Sequence, residues 1–182
     1  MSLQSIAAAC TAQTTVATPL GPMLLARSER GLLGAWFEGQ KAHPGALAAP
    51  RRDDDALLRK AAAQIVAYLE GRREDFAIEL DLQGTDFQRE VWRALQAIAR
   101  GSTTSYGALA HGIGAPRAVR AVGAAVGRNP LSVVVPCHRV LGHDGSLTGY
   151  AGGLARKRAL LRLEGIPGIS FSNIIGYRAS FL

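Results

Sequence analysis

The chain has 182 residues, 48% of them hydrophobic, and a formal net charge of +7. That apolar content argues against global disorder, and the length allows one large domain or two small ones. The basic excess points to a polyanionic partner, nucleic acid before anionic membrane, and no apolar run is long enough to span a bilayer. Cys10 and Cys137 are the only cysteines and lie in unlike contexts. They argue against a disulfide framework and fit a reducing cytoplasm, the expected location.

The opening "SIAAACTA" has no basic residue before it and is short for a signal peptide, so it reads as a frayed start with Cys10 incidental. "TTVATPLGPMLLARSERGLLGAWFEG" holds three short apolar segments, punctuated as turns at Leu20-Gly21-Pro22 and Ser28 to Gly31, and reads as a strand meander. "QKAHPGALAAPRR" has no period and reads as loop. In "DDDALLRKAAAQIVAYLEGRR", Leu58, Ala62, Ile65 and Leu69 recur at helical spacing. Asp53 to Asp55 load the positive end of that helix and Gly71 stops it. "FAIELDL" alternates Phe76, Ile78, Leu80 and Leu82 with polar residues, the pattern of a half-buried strand. Together these predict a small N-terminal α/β domain over residues 1–83, an antiparallel sheet plus a helix.

A mostly helical C-terminal domain is predicted over residues 84–167, with a tail over 168–182. "TDFQREVWRALQAIAR" opens with Thr85 and has Gln88 three residues on, a capping box. Phe87, Val91, Leu95 and Ile98 form its apolar stripe. "TTSYGALAHGIG" is a short helix entered through Ser/Thr and broken by Gly112 and Gly114. "APRAVRAVGAAVGRN" restarts a helix with Pro116 at its first position, which makes a helix-turn-helix. On this second helix Val119, Val122 and Val126 form a core stripe. Arg117, Arg120, Ala124 and Arg128 line another face, with Ala121 and Gly127 beside it. Such a small, basic face suits a nucleic-acid backbone or the minor groove better than base readout in the major groove. Tight helix–helix packing explains the small residues equally well. Arg120, placed mid-helix, is a candidate wedge for the gap left by an extruded nucleotide.

In "NPLSVVVPCHRVLGHDGSLTGYAGG", the run "LSVVV" reads as a buried strand ended by Pro136, with Cys137 just beyond it. A packed core thiol, a metal ligand and a nucleophile are all open readings. The metal reading is weak, because His43, His111, His138 and His143 form no ligand pattern with Cys137. The nucleophile needs a base, which His138 supplies directly or through a water. Glu164 closes the helical stretch "GLARKRALLRLEG", where a negative charge is unfavourable unless a His or Arg partner relieves it. Asn129, before Pro130, shapes a turn or hydrogen-bonds backbone, and Tyr150 in "TGYAGG" forms a pocket wall or packs.

"PCHRV", with Asn129-Pro130 upstream and "GYAGG" downstream, resembles the O6-alkylguanine-DNA alkyltransferases, also called methylated-DNA–protein-cysteine methyltransferases. "FQREVW", "TTSYGALA", "RAVRAVGAAVGRNP" and "RKRALLRLEG" are similar to family segments in the same order, as is the N-terminal "TPLGPMLLARSERGLLGAWFE". The resemblance implies transfer of an alkyl group from O6 of guanine, and from O4 of alkylthymine, to Cys137 in a single turnover. It implies that His138 is the base acting through water, that Glu164 orients it, and that Asn129 ties the helix-turn-helix to the active-site loop. Tyr106 then helps to rotate the nucleotide out and Arg120 replaces it. Arg117, Arg128, Thr103, Ala121, Ala124 and Gly127 complete the DNA surface. Val126, Val140, Tyr150, Ala151 and Gly152 join Tyr106 around the guanine. The implied partner is duplex DNA, met from the minor groove by a monomer, with cooperation between bound molecules left open and no membrane involved. Neither a cofactor nor a metal is expected, since the zinc ligands of some family members are not evident here. A papain-type Cys-His hydrolase and a damage-sensing DNA-binding regulator are the competing readings.

Overall fold

A computed structural model describes residues 3–166. The expected tail over residues 168–182 lies outside the described residues. Strands β1 (Ala12–Val16), β2 (Met23–Ser28) and β3 (Gly31–Phe37) form an antiparallel sheet in that order, with Thr14 opposite Leu25 and Leu25 opposite Ala35. Every residue of β3 is buried, so the sheet is covered on both faces. Helix α2 (Ala56–Leu69) covers one face, burying Leu58, Ala61, Ile65, Tyr68 and Leu69. The Asp55 side chain caps it by accepting from Leu58 N at 2.9 Å, and Gly71 ends it at φ 73°.

The other face corrects the reading of a frayed start. Leu3–Ala9 forms helix α1, and its Ile6 packs with Leu33, Trp36 and Leu47. This small cluster shields the outer face of β2 and β3, which would otherwise leave the Trp36 indole in water. A Cβ on Gly34 would stand only 1.7 Å from that indole. Gly34→Ala is therefore expected to destabilise the protein by about 1–3 kcal/mol through overpacking. Denaturant titration checks this, and an unchanged midpoint would remove the steric argument.

Residues 76–82 are extended but are not a strand. They touch the sheet through one parallel bridge, Leu32 to Leu80. Leu32 makes both of its bonds there, N to Glu79 O at 2.8 Å and O from Asp81 N at 2.9 Å. The Gln64 side chain of α2 takes up Ala77 instead, accepting from its N–H at 2.8 Å and donating to its carbonyl at 3.3 Å. The alternating exposure expected of a strand persists, because it follows from extended backbone whether or not a partner strand is present.

The second half is helical: α3 (Asp86–Gln96), α4 (Tyr106–Gly112), α5 (Val119–Gly127) and α6 (Leu154–Leu163). Two short segments, β4 (Thr104–Ser105) and β5 (Val140–Leu141), pair in parallel. The capping box of α3 forms as expected, with Thr85 and Gln88 bonded reciprocally. Trp92 Nε1 donates to Ala125 O at 2.9 Å and fastens α3 to α5.

Helix α5 begins later than expected. Gly114, at φ 72°, starts a reversal that runs through Pro116 and Arg117, so Pro116 lies in a turn and not at the first helical position. Arg120 is consequently in the first turn of α5 and not mid-helix. Val119 is 38% exposed, and Ala125 replaces it in the core stripe beside Val122 and Val126.

The two halves meet along β3. Ala35 N donates to Pro130 O and Ser132 N to Ala35 O, each at 2.9 Å, and Ser132 Oγ donates to Gln40 Oε1 at 3.0 Å. The chain after α5 thus hangs on the N-terminal sheet. Among the described residues no helix is long and apolar enough to cross a membrane.

Candidate active site

The "LSVVV" segment is a series of turns and not the expected buried strand, and Val133 takes the left-handed region at φ 74°. Asn129 accounts for the difference. Its Oδ1 accepts from Leu131 N at 3.0 Å, and its Nδ2 donates to Val135 O at 2.8 Å and Leu131 O at 3.4 Å. A side-chain amide therefore supplies bonds that a neighbouring strand would otherwise make. A β-branched residue at positive φ is costly, and the surrounding contacts hold it there.

The same Asn129 Nδ2 lies 3.1 Å from Cys137 Sγ. Cys137 opens a one-turn 3₁₀ helix, Cys137–Arg139, and is 4% exposed. Burial pushes its thiol pKa above the ordinary value, opposed by the Asn129 bond and by the nearby Lys157 charge. His138 is wholly buried, and burial lowers its pKa although Glu164 pulls it up. At neutral pH the site thus holds a thiol and a neutral imidazole. His138 Nε2 faces Glu164 Oε1 at 2.5 Å, while its buried Nδ1 has no partner among the described residues. With Nε2–H donated to the carboxylate, Nδ1 is left as the proton acceptor.

Glu164 caps α6 and receives more than His138. Arg139 Nε donates to Oε2 at 2.7 Å and Arg139 Nη2 to Oε1 at 3.1 Å, and the Tyr68 hydroxyl also donates to Oε1. Desolvation works against the carboxylate, but these donors prevail and hold its pKa at about 2. The unfavourable charge at the end of α6 does mark a partnered residue, as the sequence suggested. Arg139 and Tyr68 were not anticipated, and neither was Lys157. Arg139 stands beside His138 in the motif, but nothing in the apolar stripe of α2 set Tyr68 apart. Lys157 is fully buried, and its Nζ donates to Val140 O and Thr148 O at 2.5 Å and to Gly149 O at 3.3 Å. It pins the 140–149 loop, and burial lowers its pKa to about 8.

Tyr106, the first residue of α4, joins the helix pair to this loop. Its hydroxyl donates to Gly149 O at 3.3 Å, and its ring lies 3.7 Å from where a Gly123 Cβ would stand on α5. Burial raises its pKa. Tyr150 meets His138 edge-on at 6.5 Å between ring centroids. Gly152 is required beside it, since a Cβ there would approach Tyr150 to 2.7 Å and Phe37 to 3.3 Å. Val126 and Val140 are buried in the same core cluster as Cys137. Ala151 O accepts from Lys41 N at 2.9 Å.

Thr103, Arg117, Arg120, Ala121, Ala124, Gly127 and Arg128 are all exposed. Among the described residues none of the three arginines has a carboxylate partner. Among those residues, too, no three His, Cys, Asp or Glu side chains gather into a metal-binding group.

A buried thiol beside an oriented imidazole, behind a bare basic helix, defines a cysteine-dependent protein of the helix-turn-helix type. Residues 12–82 match the family model described as 6-O-methylguanine DNA methyltransferase, ribonuclease-like domain, and residues 86–166 match its DNA binding domain. The methylated-DNA–protein-cysteine methyltransferase of Mycobacterium bovis is 46% identical over 155 residues, covering 82% of this chain and 90% of its own length. That of Methanosarcina barkeri is 47% identical, covering 82% and 94%. The crystal structure of Mycobacterium tuberculosis OGT in complex with DNA aligns with a TM-score of 0.77 at 44% identity, over 87% of this chain and 97% of that one. The chain belongs to the 6-O-methylguanine DNA methyltransferase family.

Proposed function

We propose that this protein repairs duplex DNA by moving the alkyl group of O6-alkylguanine onto its own Cys137. The observation that carries the reading is the Asn129–Cys137 and His138–Glu164 pairing, set one loop away from an unpaired basic helix face. Asn129 holds Sγ while fixing the turn that follows α5, so the DNA-facing helix and the thiol move as one unit. His138 Nδ1 takes the thiol proton through an intervening water, and Glu164 stabilises the imidazolium that forms. The thiolate displaces guanine in line at the alkyl carbon. The S–C bond forms, the C–O6 bond breaks, and the electron pair leaves on the base. Tyr106, at the mouth of the 148–149 loop, donates to that developing anion. The product is a thioether with no carbonyl for water to attack, so each molecule acts once. O4-alkylthymine offers the same leaving-group chemistry and is the proposed second substrate.

Access requires the nucleotide to leave the stack, since Cys137 is buried. The small surface of Ala121, Ala124 and Gly127 lets α5 lie close to DNA in the minor groove, and Arg120 fills the vacated space. The protein is to be incubated with duplex DNA carrying O6-methylguanine and its intact mass measured. One methyl increment on the Cys137 peptide is expected. DNA binding with an unchanged mass would replace repair by damage sensing.

Arg120→Ala is expected to slow transfer on duplex DNA by about five- to thirtyfold, equivalent to 1–2 kcal/mol, while transfer from the free base O6-methylguanine, which needs no extrusion, is unchanged. Equal rates on duplex for variant and parent would refute the finger. Arg117→Ala and Arg128→Ala should each weaken binding to all sequences and lower the salt slope by roughly 1.

A further inference from the structure

The helix that carries Tyr68 belongs to the N-terminal domain, yet its hydroxyl reaches the centre of the C-terminal site. It donates to Glu164 Oε1, the atom that also faces His138 Nε2, and accepts from Arg139 Nη2 at 3.2 Å. The ring is 1% exposed and held by Phe76 at 4.8 Å between centroids and by the Arg100 guanidinium at 6.0 Å. The ring thus has packing of its own besides the two bonds made by the hydroxyl.

We propose that Tyr68 is a positioning residue for alkyl transfer: its hydroxyl takes up part of the charge on Glu164 Oε1 and so sets how strongly the carboxylate holds a proton on His138. The inference rests on the alkyl-transfer reading and adds the N-terminal domain to the machinery of the site. Among the described residues Oε1 accepts from three donors, Tyr68, His138 and Arg139, while Oε2 accepts from Arg139 alone. Removing one donor from Oε1 leaves more negative charge for the imidazole to feel. His138 is otherwise faced by Arg139, Lys157 and Tyr150, and Glu164 by Arg139. Of these only Arg139 changes when the hydroxyl is removed: it loses its Nη2 bond to Tyr68 and keeps both bonds to Glu164.

The sign follows from the role of His138. The imidazole must be neutral to accept the thiol proton, so transfer fails as pH falls through its pKa. A stronger pull from Glu164 raises that pKa and moves the loss of activity to higher pH. In Tyr68→Phe the acid midpoint of the methyl-transfer rate is expected to rise by about half to one pH unit, with the alkaline plateau retained. Arg139 still grips both carboxylate oxygens in this variant. Incorporating 3-fluorotyrosine at position 68, a stronger donor, should move the midpoint down. Phe76→Leu, which loosens the ring but spares the hydroxyl, should leave it in place.

The rates are measured by Cys137 methylation over pH 5 to 9, with affinity for undamaged duplex as a control. A profile scaled by one factor at every pH, or a midpoint that does not move in either Tyr68 variant, overturns the inference. Failure of the parent protein to methylate at all would instead overturn the reading on which it rests. If Tyr68→Phe does not fold, the fluorotyrosine protein alone decides the matter.

Discussion

Cys137→Ser is expected to bind duplex DNA as the parent does and to leave O6-methylguanine unrepaired. The substitution exchanges sulfur for oxygen at nearly constant shape. Asn129 Nδ2, now 3.1 Å from Sγ, keeps an acceptor, and the turn it holds stays in place. The chemistry, however, depends on the nucleophile's proton affinity. Burial already pushes the Cys137 thiol above its ordinary pKa, and a neutral imidazole can still draw off its proton. A serine hydroxyl in the same surroundings is a far weaker acid, and His138 has no means to ionise it. The rate should fall by about 10⁴-fold or more, for a stability cost of about 1–2 kcal/mol from the buried hydroxyl. Intact-mass measurement after incubation with lesion DNA reads the first number and thermal melting the second. In the parent the methyl should sit on the Cys137 peptide only. Cys10 is part-buried, has its own pKa raised by burial, and donates to Ala12 O at 3.5 Å, with no base beside it among the described residues. Methylation of the serine variant at Cys10 would dismiss the acceptor assignment, and methylation at position 137 would dismiss the need for a thiol.

What could be read from the sequence divides by the range of the forces involved. Caps and stops are local: Thr85 with Gln88, Asp55 before α2 and Gly71 after it stand where side-chain oxygens and a permissive backbone were expected. The exposed face of Arg120, Ala121 and Ala124, ending at the cap residue Arg128, was equally legible from helical spacing, whereas Arg117 is exposed in the turn before α5. Errors arise where a distant group overrides a local preference. "LSVVV" has strand composition, but the Asn129 amide satisfies its backbone and bends it into turns. "FAIELDL" has strand alternation, but Gln64 takes up the bonds that an adjacent strand would have made. At the site, Glu164 declared its need for a partner through its position at a helix end. Tyr68 could not be found the same way. It lies 96 residues from Glu164 along the chain, and in the helical stripe it is one apolar-facing side chain among several.

Glu164→Gln tests the other pillar of the site and should damage both rate and fold. The side chains of Glu164 and His138 are wholly buried and that of Arg139 nearly so, and three donors converge on Oε1. A glutamine amide keeps the shape but removes the charge and replaces one acceptor by a donor. Whichever way it turns, an N–H meets another donor, and the Arg139 guanidinium is left without its counter-ion. Breaking a buried pair from one side costs about 3–5 kcal/mol, or roughly 6–20 °C in Tm for a chain of this size. Transfer should slow by about 10²- to 10⁴-fold, because nothing then stabilises the imidazolium that the reaction creates. The pH dependence separates this account from a simple packing defect. The folded pKa of Glu164, about 2, lies below its ordinary value of 4.5, so its contribution is full above about 4.5 and is lost as pH falls toward 2. His138 adds an earlier loss. Its folded pKa also lies below the ordinary 6.5, so the unfolded chain takes up the proton first and stability begins to decline below about 6.5. In thermal melts the parent should thus weaken in two stages. The gap between parent and Glu164→Gln should stay full down to about pH 4.5 and close between pH 4.5 and 2. A gap of constant size down to pH 2 would show that the carboxylate's charge is not what holds Arg139 and His138 in place.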